Sequence, residues 1–324
     1  MPLRIDNVSK RFGTKWVLRD VDLEADRGFV IGVFGPKGCG KTTVLRIIAG
    51  LESSNSGSIE MDGVAISELR SKGGVEFIPT IPVSGFWHKA LGNRTGDTVD
   101  IAARQADLLK NALTSDVELL LLDDVFCFFD GRSKREMIAD LRREIRSRNK
   151  IALIAMNSFE DIFAACDTVA IVANGTVAQA GDPIQVYEGP ANRAVAEIFG
   201  LNNLFAARRL TSSKAELPEF QTRNGDHRLF ARKTDRSALG SLNQDVTLAI
   251  RPEHISISFG ASFPEDNLLK ATITEVQCHG PTTIVHLDSD GLKLQALVLR
   301  LVGLKIGDEC MVGLPPDRLT VLRS

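Results

Sequence analysis

The sequence has no run of eighteen apolar residues and no charged-then-apolar leader at its N-terminus, so neither a membrane-spanning helix nor export by such a signal is expected. Cysteine is scarce. The five present (Cys39, Cys127, Cys166, Cys278, Cys310) are odd in number, scattered and without C-x-x-C spacing, which argues against a disulfide framework and a zinc site and fits a reducing compartment. An excess of either charge is also missing. The 39 Lys and Arg against 41 Asp and Glu give a net charge of −2, and the basic residues are spread out, so no nucleic-acid surface is expected. The densest basic run, residues 142–150, falls on a predicted helix and reads as a solvated face. What remains is an ordinary globular composition, 44% apolar and 25% charged, over 324 residues that suffice for two domains with separate cores.

The most informative stretch is residues 29–50, F-V-I-G-V-F-G-P-K-G-C-G-K-T-T-V-L-R-I-I-A-G. An apolar β-branched run, residues 30–34, leads into a glycine-rich turn, which opens into an amphipathic segment with Val44, Leu45, Ile47 and Ile48: strand, loop, helix. Gly35, Gly40, Lys41 and Thr42 fit G-x-x-x-x-G-K-[ST], a loop whose backbone N–H groups face a nucleotide's phosphates at the positive end of a helix. The candidate cofactor-binding residues are therefore Gly35, Pro36, Lys37, Gly38, Cys39, Gly40, Lys41, Thr42 and Thr43. Lys41 would reach the β and γ phosphates and the Thr42 hydroxyl would bind Mg²⁺. A glycine-rich βα turn without a ligand is the competing reading, and the flanking strand and helix disfavour it.

Residues 3–8 and 17–23 alternate as strands, with K-R-F-G as the turn between them. Phe12 in that turn either stacks on a nucleotide base or packs locally. Residues 53–57 form a turn and residues 58–66 a short hairpin around Asp62-Gly63. Residues 104–113 are predicted helical. Residues 117–124, V-E-L-L-L-L-D-D, read as a strand buried on both faces and ending in two acids, at the carboxyl end where open α/β sheets place ligands. Asp123 is the expected holder of Mg²⁺ through water; the alternative is two acids that simply end a strand. A helix over 134–148, a strand over 151–156, a helix over 159–166 and a strand over 168–173 complete the alternation of a parallel sheet. Further on, residues 271–276, 283–287, 292–299 and 309–314 alternate like short strands between Gly/Asp turns, the pattern of a small β-barrel.

With these motifs in place, the first two hundred residues resemble the ATP-binding subunit of an ABC importer, of the branch serving sugars, polyamines, iron and similar solutes. The matching stretches are 35–43 (G-P-K-G-C-G-K-T-T), Arg104-Gln105 through Ala112-Leu113, 119–124, and 181–200 (G-D-P-I-Q-V-Y-E-G-P-A-N-R-A-V-A-E-I-F-G). The tail resembles the family's C-terminal OB-like regulatory domain through 250–255 (I-R-P-E-H-I) and 314–322 (L-P-P-D-R-L-T-V-L). The resemblance implies an α/β P-loop NTPase domain of mostly parallel sheet over 1–203, followed by a small all-β OB-like barrel over 204–324. It implies ATP and Mg²⁺ as cofactors and a homodimer, or a heterodimer with another ATPase subunit. It also implies permease subunits as partners and a peripheral place on the cytoplasmic face of the membrane. Residues 199–205 (F-G-L-N-N-L-F) lean towards the polyamine, iron and inorganic-ion branch.

Against that family, the departures fall on hydrolysis. Asp124 stands where the family has the Glu that polarises the attacking water. One methylene shorter, its carboxylate is withdrawn by roughly 1.5 Å, and a displacement of about 1 Å costs ~10²-fold in rate. Asp124 is therefore expected to be a weak catalytic residue. Residues 99–103 (V-D-I-A-A) align with the L-S-G-G-Q signature, with both glycines gone and Asp100 in the serine's place. A carboxylate about 4 Å from a γ-phosphate charge is repelled by about 4 kcal/mol at an effective dielectric of about 20. Ile78 replaces the glutamine that reports the γ-phosphate and Met156 the switch histidine, and neither side chain does that chemistry. Asp130 remains at the position of the dimer-contacting aspartate.

Residues 79–98 read as a shortened, loop-like remnant of the helical subdomain that receives the permeases' coupling helices. In it, His88 has no partner at ligand spacing, and Phe86 with Trp87 is either an interaction patch or a cover over the sheet end. The expectation is an ATP-binding import subunit with impaired or absent hydrolysis. The alternatives are a non-hydrolytic pseudo-ATPase acting as a regulatory or heterodimer partner, and a regulatory protein working through its barrel.

Overall fold

The computed structural model describes residues 3–81, 97–210, 217–231, 239, 241–260, 267–299 and 303–322, and for residues 97–100 the backbone alone. Phe86, Trp87 and His88 lie outside the described residues. The chain divides into two compact units, Met1–Glu188 and Gly189–Ser324.

The first unit begins β1 (Leu3–Phe12), β2 (Lys15–Ala25), β3 (Val30–Phe34), α1 (Lys41–Ile48), β4 (Ser56–Met61), β5 (Val64–Ala65), α2 (Ile66–Ser71) and β6 (Val75–Ile78). It continues α3 (Asp97–Thr114), β7 (Leu119–Asp123), α4 (Gly131–Ser147), β8 (Ile151–Met156), α5 (Phe159–Ala165), β9 (Thr168–Ala173), β10 (Thr176–Gly181) and α6 (Pro183–Glu188). One sheet is antiparallel, in the order β2-β1-β4-β5. The other runs β10-β9-β3-β8-β7-β6 and is parallel apart from β10. The sequence dictates this split. β3 and β8 are unbroken apolar runs buried at every position, as strands covered on both faces must be, whereas β2 alternates buried and exposed residues. A single core joins the antiparallel sheet, α1 and one face of the parallel sheet, through Ile5, Val21, Leu45, Ile48, Leu121 and Leu153. On the opposite face α5 comes so close to β3 that a Cβ on Gly32 would lie 2.7 Å from Ile162 Cδ1 and 2.8 Å from Cys166 Sγ.

Several boundaries differ from the sequence expectation. β1 runs on to Phe12, so the turn is Gly13-Thr14 and Phe12 ends a strand; register shifts after Ile5 and after Val8 break the alternation that would have revealed this. α3 starts at Asp97, seven residues early, and takes in residues 99–103 and the end of the 79–98 segment, which is not loop there. No Gly or Pro stands between Asp97 and Thr114 to interrupt it. α4 starts at Gly131 because Asp130 caps it, accepting from the N–H groups of Arg132 at 3.0 Å and Ser133 at 2.8 Å.

The basic run 142–150 is not simply a solvated face. Arg142 and Arg146 pair with Asp167 at 3.2 and 3.1 Å. Lys150 is only 4% exposed, and its Nζ donates to the carbonyls of Ala112 at 3.3 Å, Leu113 at 3.0 Å and Ser115 at 2.5 Å. It closes the carboxyl end of α3, whose last carbonyls have no partner within the helix. Lys150→Met keeps the apolar stem and removes these bonds. Denaturant melts of the full chain should show the first unit losing about 2–3 kcal/mol, the worth of one or two buried charge-assisted bonds.

The second unit comprises α7 (Arg193–Ile198), β11 (Asn203–Arg209), β12 (Glu219–Thr222), β13 (Arg228–Phe230), β14 (Asp245–Ile250), β15 (Ser256–Ser258), β16 (Asn267–His279), β17 (Thr282–Ser289), β18 (Leu292–Leu299), β19 (Glu309–Leu314) and β20 (Thr320–Leu322). Residues 189–203 count with this unit; Ala196 of α7 packs on Ala249 and Leu322. Two five-stranded sheets, β13-β12-β11-β14-β20 and β15-β19-β16-β17-β18, have only antiparallel pairings and share one core built on Phe205, Phe220, Leu248, Val285 and Val312. Two buried asparagines join the sheets. Asn203 of β11 exchanges bonds with the Gln295 backbone at 2.6 and 2.9 Å, and Asn267 of β16 does the same with Phe230 at 2.7 and 2.9 Å. The alternating strands led to the expectation of a small β-barrel and the family resemblance to that of an OB-like domain, and these two antiparallel sheets on one core are consistent with both.

Candidate functional site

β3, β8 and β7 are neighbours in the parallel sheet, so their carboxyl ends deliver three groups of residues to one edge. These are the loop from Gly35 to Gly40, the Asp123-Asp124 pair, and Asn157 one residue past β8. A cleft of about 330 Å³ opens between them. Of the residues singled out in the sequence, Lys37, Gly38, Gly40, Lys41, Thr42, Thr43, Asp123 and Asp124 line it. Val17, Ala155 and Asn157 complete the wall.

Glycine is required twice in the loop. Gly40, at φ 111°, is the N-cap of α1, and a Cβ on it would sit 2.5 Å from Leu18 Cδ2. A Cβ on Gly35 would meet the Val172 carbonyl at 2.3 Å. Lys41 is buried beneath the loop, with Nζ donating to the carbonyls of Gly35 at 2.7 Å and Pro36 at 3.2 Å. Pro36 and Cys39 belong to the loop without lining the cleft. The loop thus offers backbone N–H groups, a helix N-terminus and an ammonium on one concave surface, a combination suited to a polyanion.

The Thr42 hydroxyl donates to Asp123 Oδ1 at 3.0 Å. A hydroxyl and a carboxylate oxygen this close form the kind of oxygen pair that could hold a small hard cation. Burial raises the Asp123 carboxyl above the usual carboxylate range; the Thr42 bond opposes that, nearby Asp124 adds to it, and Lys41 and Arg46 oppose it. Asp124 has a left-handed backbone at φ 52°, with its N–H bonded to the Ala155 carbonyl at 2.9 Å. Its Oδ2 accepts from Asn157 Nδ2 at 2.8 Å. The backbone of both acids is held from behind. Thr80 Oγ1 donates to the Asp123 carbonyl at 2.5 Å and lies 3.2 Å from that of Asp124, while the fully buried Gln105 bonds Ile81 N–H at 3.2 Å and the Pro79 carbonyl at 3.4 Å.

Other singled-out residues lie elsewhere. Phe12 is 47% exposed at the end of β1, with the Lys10 ammonium 4.8 Å from its ring centre, and it does not line the cleft. Ile78 and Met156 are buried; the Met156 sulfur lies 4.0 Å from Cys166 Sγ, on the face of β8 opposite the core that α1 joins. Among the described residues no group of three or more His, Cys, Asp or Glu side chains is arranged to hold a metal. Asn157 and Val17 were not singled out in the sequence. The sequence held part of the signal for Asn157, which directly follows a predicted strand; that this strand lies beside the loop-bearing one is visible only in the folded sheet.

The ABC transporter family model matches residues 18–80, and the TOBE domain model matches residues 248–322. Curated relatives align along nearly the whole chain. The Fe(3+) ions import ATP-binding protein FbpC of Photorhabdus laumondii is 26% identical, over 99% of this chain and 97% of its own length. The maltose/maltodextrin import ATP-binding protein MalK of Mannheimia succiniciproducens is 24% identical over 98% and 94%. The sulfate/thiosulfate import ATP-binding protein CysA of Bacillus cereus is 25% identical over 90% and 88%. The chain thus carries a match to the ABC transporter family followed by one to the TOBE domain, and along nearly its whole length it is similar to import ATP-binding subunits.

Proposed function

We propose that this chain is the nucleotide-binding subunit of an ABC-type solute import system, with ATP and Mg²⁺ as its cofactors and with hydrolysis impaired or absent. The observation that carries this reading is the single cleft into which Lys41, Thr42 and Asp123 converge, with the last two 3.0 Å apart. The backbone of residues 35–43 would face the phosphates. Lys41 would exchange its two loop carbonyls for β and γ phosphate oxygens, and Thr42 with Asp123, the latter through water, would hold Mg²⁺. Bound there, the ion would neutralise phosphate charge. Phe12, which does not line the cleft, is kept as the candidate base-stacking residue.

What argues for weak hydrolysis is equally local. The carboxylate expected to polarise water is short and already committed to Asn157, and the positions of the glutamine and the switch histidine are filled by buried Ile78 and Met156. Its partners would be permease subunits, and either a second copy or a standard ATPase subunit, as the family resemblance implies. Among the described residues no helix is long and apolar enough to cross a membrane, so attachment to its inner, cytoplasmic face would run through those permeases. The Asn157 clamp on Asp124 favours the second reading too, a pseudo-ATPase that modulates a heterodimeric transporter.

The test is purified protein assayed for ATP affinity and turnover with Mg²⁺, alone and with candidate ATPase and permease subunits. Tight Mg²⁺-dependent binding with slow turnover is expected; no binding, or rapid phosphate release by the isolated chain, overturns the reading. Asp124→Glu restores the missing methylene and should raise phosphate release about tenfold, part of the ~10²-fold that a displacement near 1 Å costs. Unchanged release would put the defect in the other lost positions.

A further inference from the structure

The carboxyl end of β7 loses its neighbour on one side just where the two acids begin. β8 stays paired with β7 as far as Asp123, opposite Ala155, but β6 is paired only as far as Ile78, opposite Leu122. Pro79 follows, and without an N–H it has no bond to give the ladder. The next residue supplies one from its side chain. Thr80 Oγ1 lies 2.5 Å from the Asp123 carbonyl and 3.2 Å from that of Asp124, so its single proton serves the backbone of both acids.

Thr80 is in turn bracketed by one side chain, Gln105 of α3, which is fully buried. An amide taken out of water is costly unless its groups are bonded, and here both go to the residues either side of Thr80. Gln105 Oε1 accepts from the Ile81 N–H at 3.2 Å, and its Nε2 donates to the Pro79 carbonyl at 3.4 Å. A chain of bonds thus runs from α3 through residues 79–81 to the backbone that carries Asp123 and Asp124. At its far end is the oxygen pair of the cleft, where Asp123 Oδ1 accepts from the Thr42 hydroxyl at 3.0 Å. Mg²⁺ is exacting about such oxygens, since it demands near-ideal octahedral geometry at about 2.0–2.1 Å. A carboxylate meets that tolerance only as well as its backbone is held.

We propose, on the reading of the cleft as a Mg²⁺-nucleotide site, that Thr80 is a positioning residue for the metal-binding carboxylate, acting through the Asp123 backbone with Gln105 as its anchor. The test is the ATP affinity of the full-length chain by titration calorimetry, in Mg²⁺ and again in EDTA. Thr80→Val keeps the shape and removes the hydroxyl. Its affinity should fall about tenfold in Mg²⁺, the lower end of what losing a partner behind the ligands costs a metal site, and stay within about twofold of the parent in EDTA. Thr80→Ser keeps the hydroxyl and should match the parent in both. Gln105→Met frees residues 79–81 without touching Thr80 and should show the same metal-dependent loss; if it does not fold, the two Thr80 variants decide. The possible failures separate. A parent chain that binds no ATP, or binds it equally with and without Mg²⁺, overturns the nucleotide reading and the role of Thr80 with it. A parent that gains affinity from Mg²⁺, beside a Thr80→Val that gains as much or that loses equally in both buffers, overturns the role of Thr80 alone, as does a Thr80→Ser as weak as Thr80→Val.

Discussion

Lys41→Ala should weaken ATP binding by about two to three orders of magnitude and abolish the rise in melting temperature that Mg²⁺-ATP gives the parent protein. The magnitude follows from what the ammonium would do. Two charge-assisted hydrogen bonds to phosphate oxygens at about 1.5–2 kcal/mol each, the lower part of their usual range, supply some 3–4 kcal/mol, and each 1.4 kcal/mol is tenfold in affinity. Without nucleotide, Lys41 satisfies only the carbonyls of Gly35 and Pro36, beside a cleft from which water can replace it, so the variant's melt in the absence of ligand should fall little. A large fall without ligand, with ATP affinity retained, would make Lys41 a strut of the loop and not a phosphate ligand. The same variant bears on the system as a whole. If nucleotide binding disappears while transport in the native setting is unchanged, every ATP-linked reading of this chain is in trouble.

What the sequence revealed, and what it hid, divides along physical lines. Residues 30–34, 119–123 and 151–156 were legible as parallel strands because burial on both faces leaves nothing but apolar residues, and the loop after the first was legible because a phosphate cradle needs glycine at fixed places. Lys41, Thr42 and Asp123 meet because of that logic. Asn157 escaped because its role depends on β8 lying between β3 and β7, an adjacency that only the folded sheet defines. The end of β1 was obscured by bulges, which destroy the period on which strand recognition rests. Lys150 looked like one more surface cation because nothing local says that the carboxyl end of α3 will arrive above it. Asp130 likewise looked available for a partner. Here it caps α4, and the bonds from the Ser133 backbone pull its carboxyl below the usual range.

Asp123→Asn should make the ligand-free protein more stable and remove its response to Mg²⁺. Burial and the neighbouring Asp124 raise the Asp123 carboxyl, with Thr42, Lys41 and Arg46 only partly opposing. An acid whose folded pKa lies above its unfolded value binds its proton more tightly when folded. Its charge therefore costs stability above the folded pKa, and that cost is relieved as the pH falls through it. Asparagine has nearly the same shape, carries no charge, and keeps an oxygen to accept from the Thr42 hydroxyl. At neutral pH the variant should melt slightly above the parent, and only slightly, because the carboxylate is half buried at the cleft and solvent screens part of its cost. The gap should close on acidification, as the parent's carboxyl takes up its proton. With Mg²⁺-ATP the order should reverse. At about 100 times its dissociation constant a ligand stabilises by about 2.7 kcal/mol, and a chain without the carboxylate forgoes the part that depends on the metal. A gain in the absence of ligand coupled to a loss with Mg²⁺ is the signature of a carboxylate kept for an ion at the expense of the fold. A variant less stable than the parent without ligand, or equally stabilised by Mg²⁺-ATP, would assign Asp123 to the fold alone.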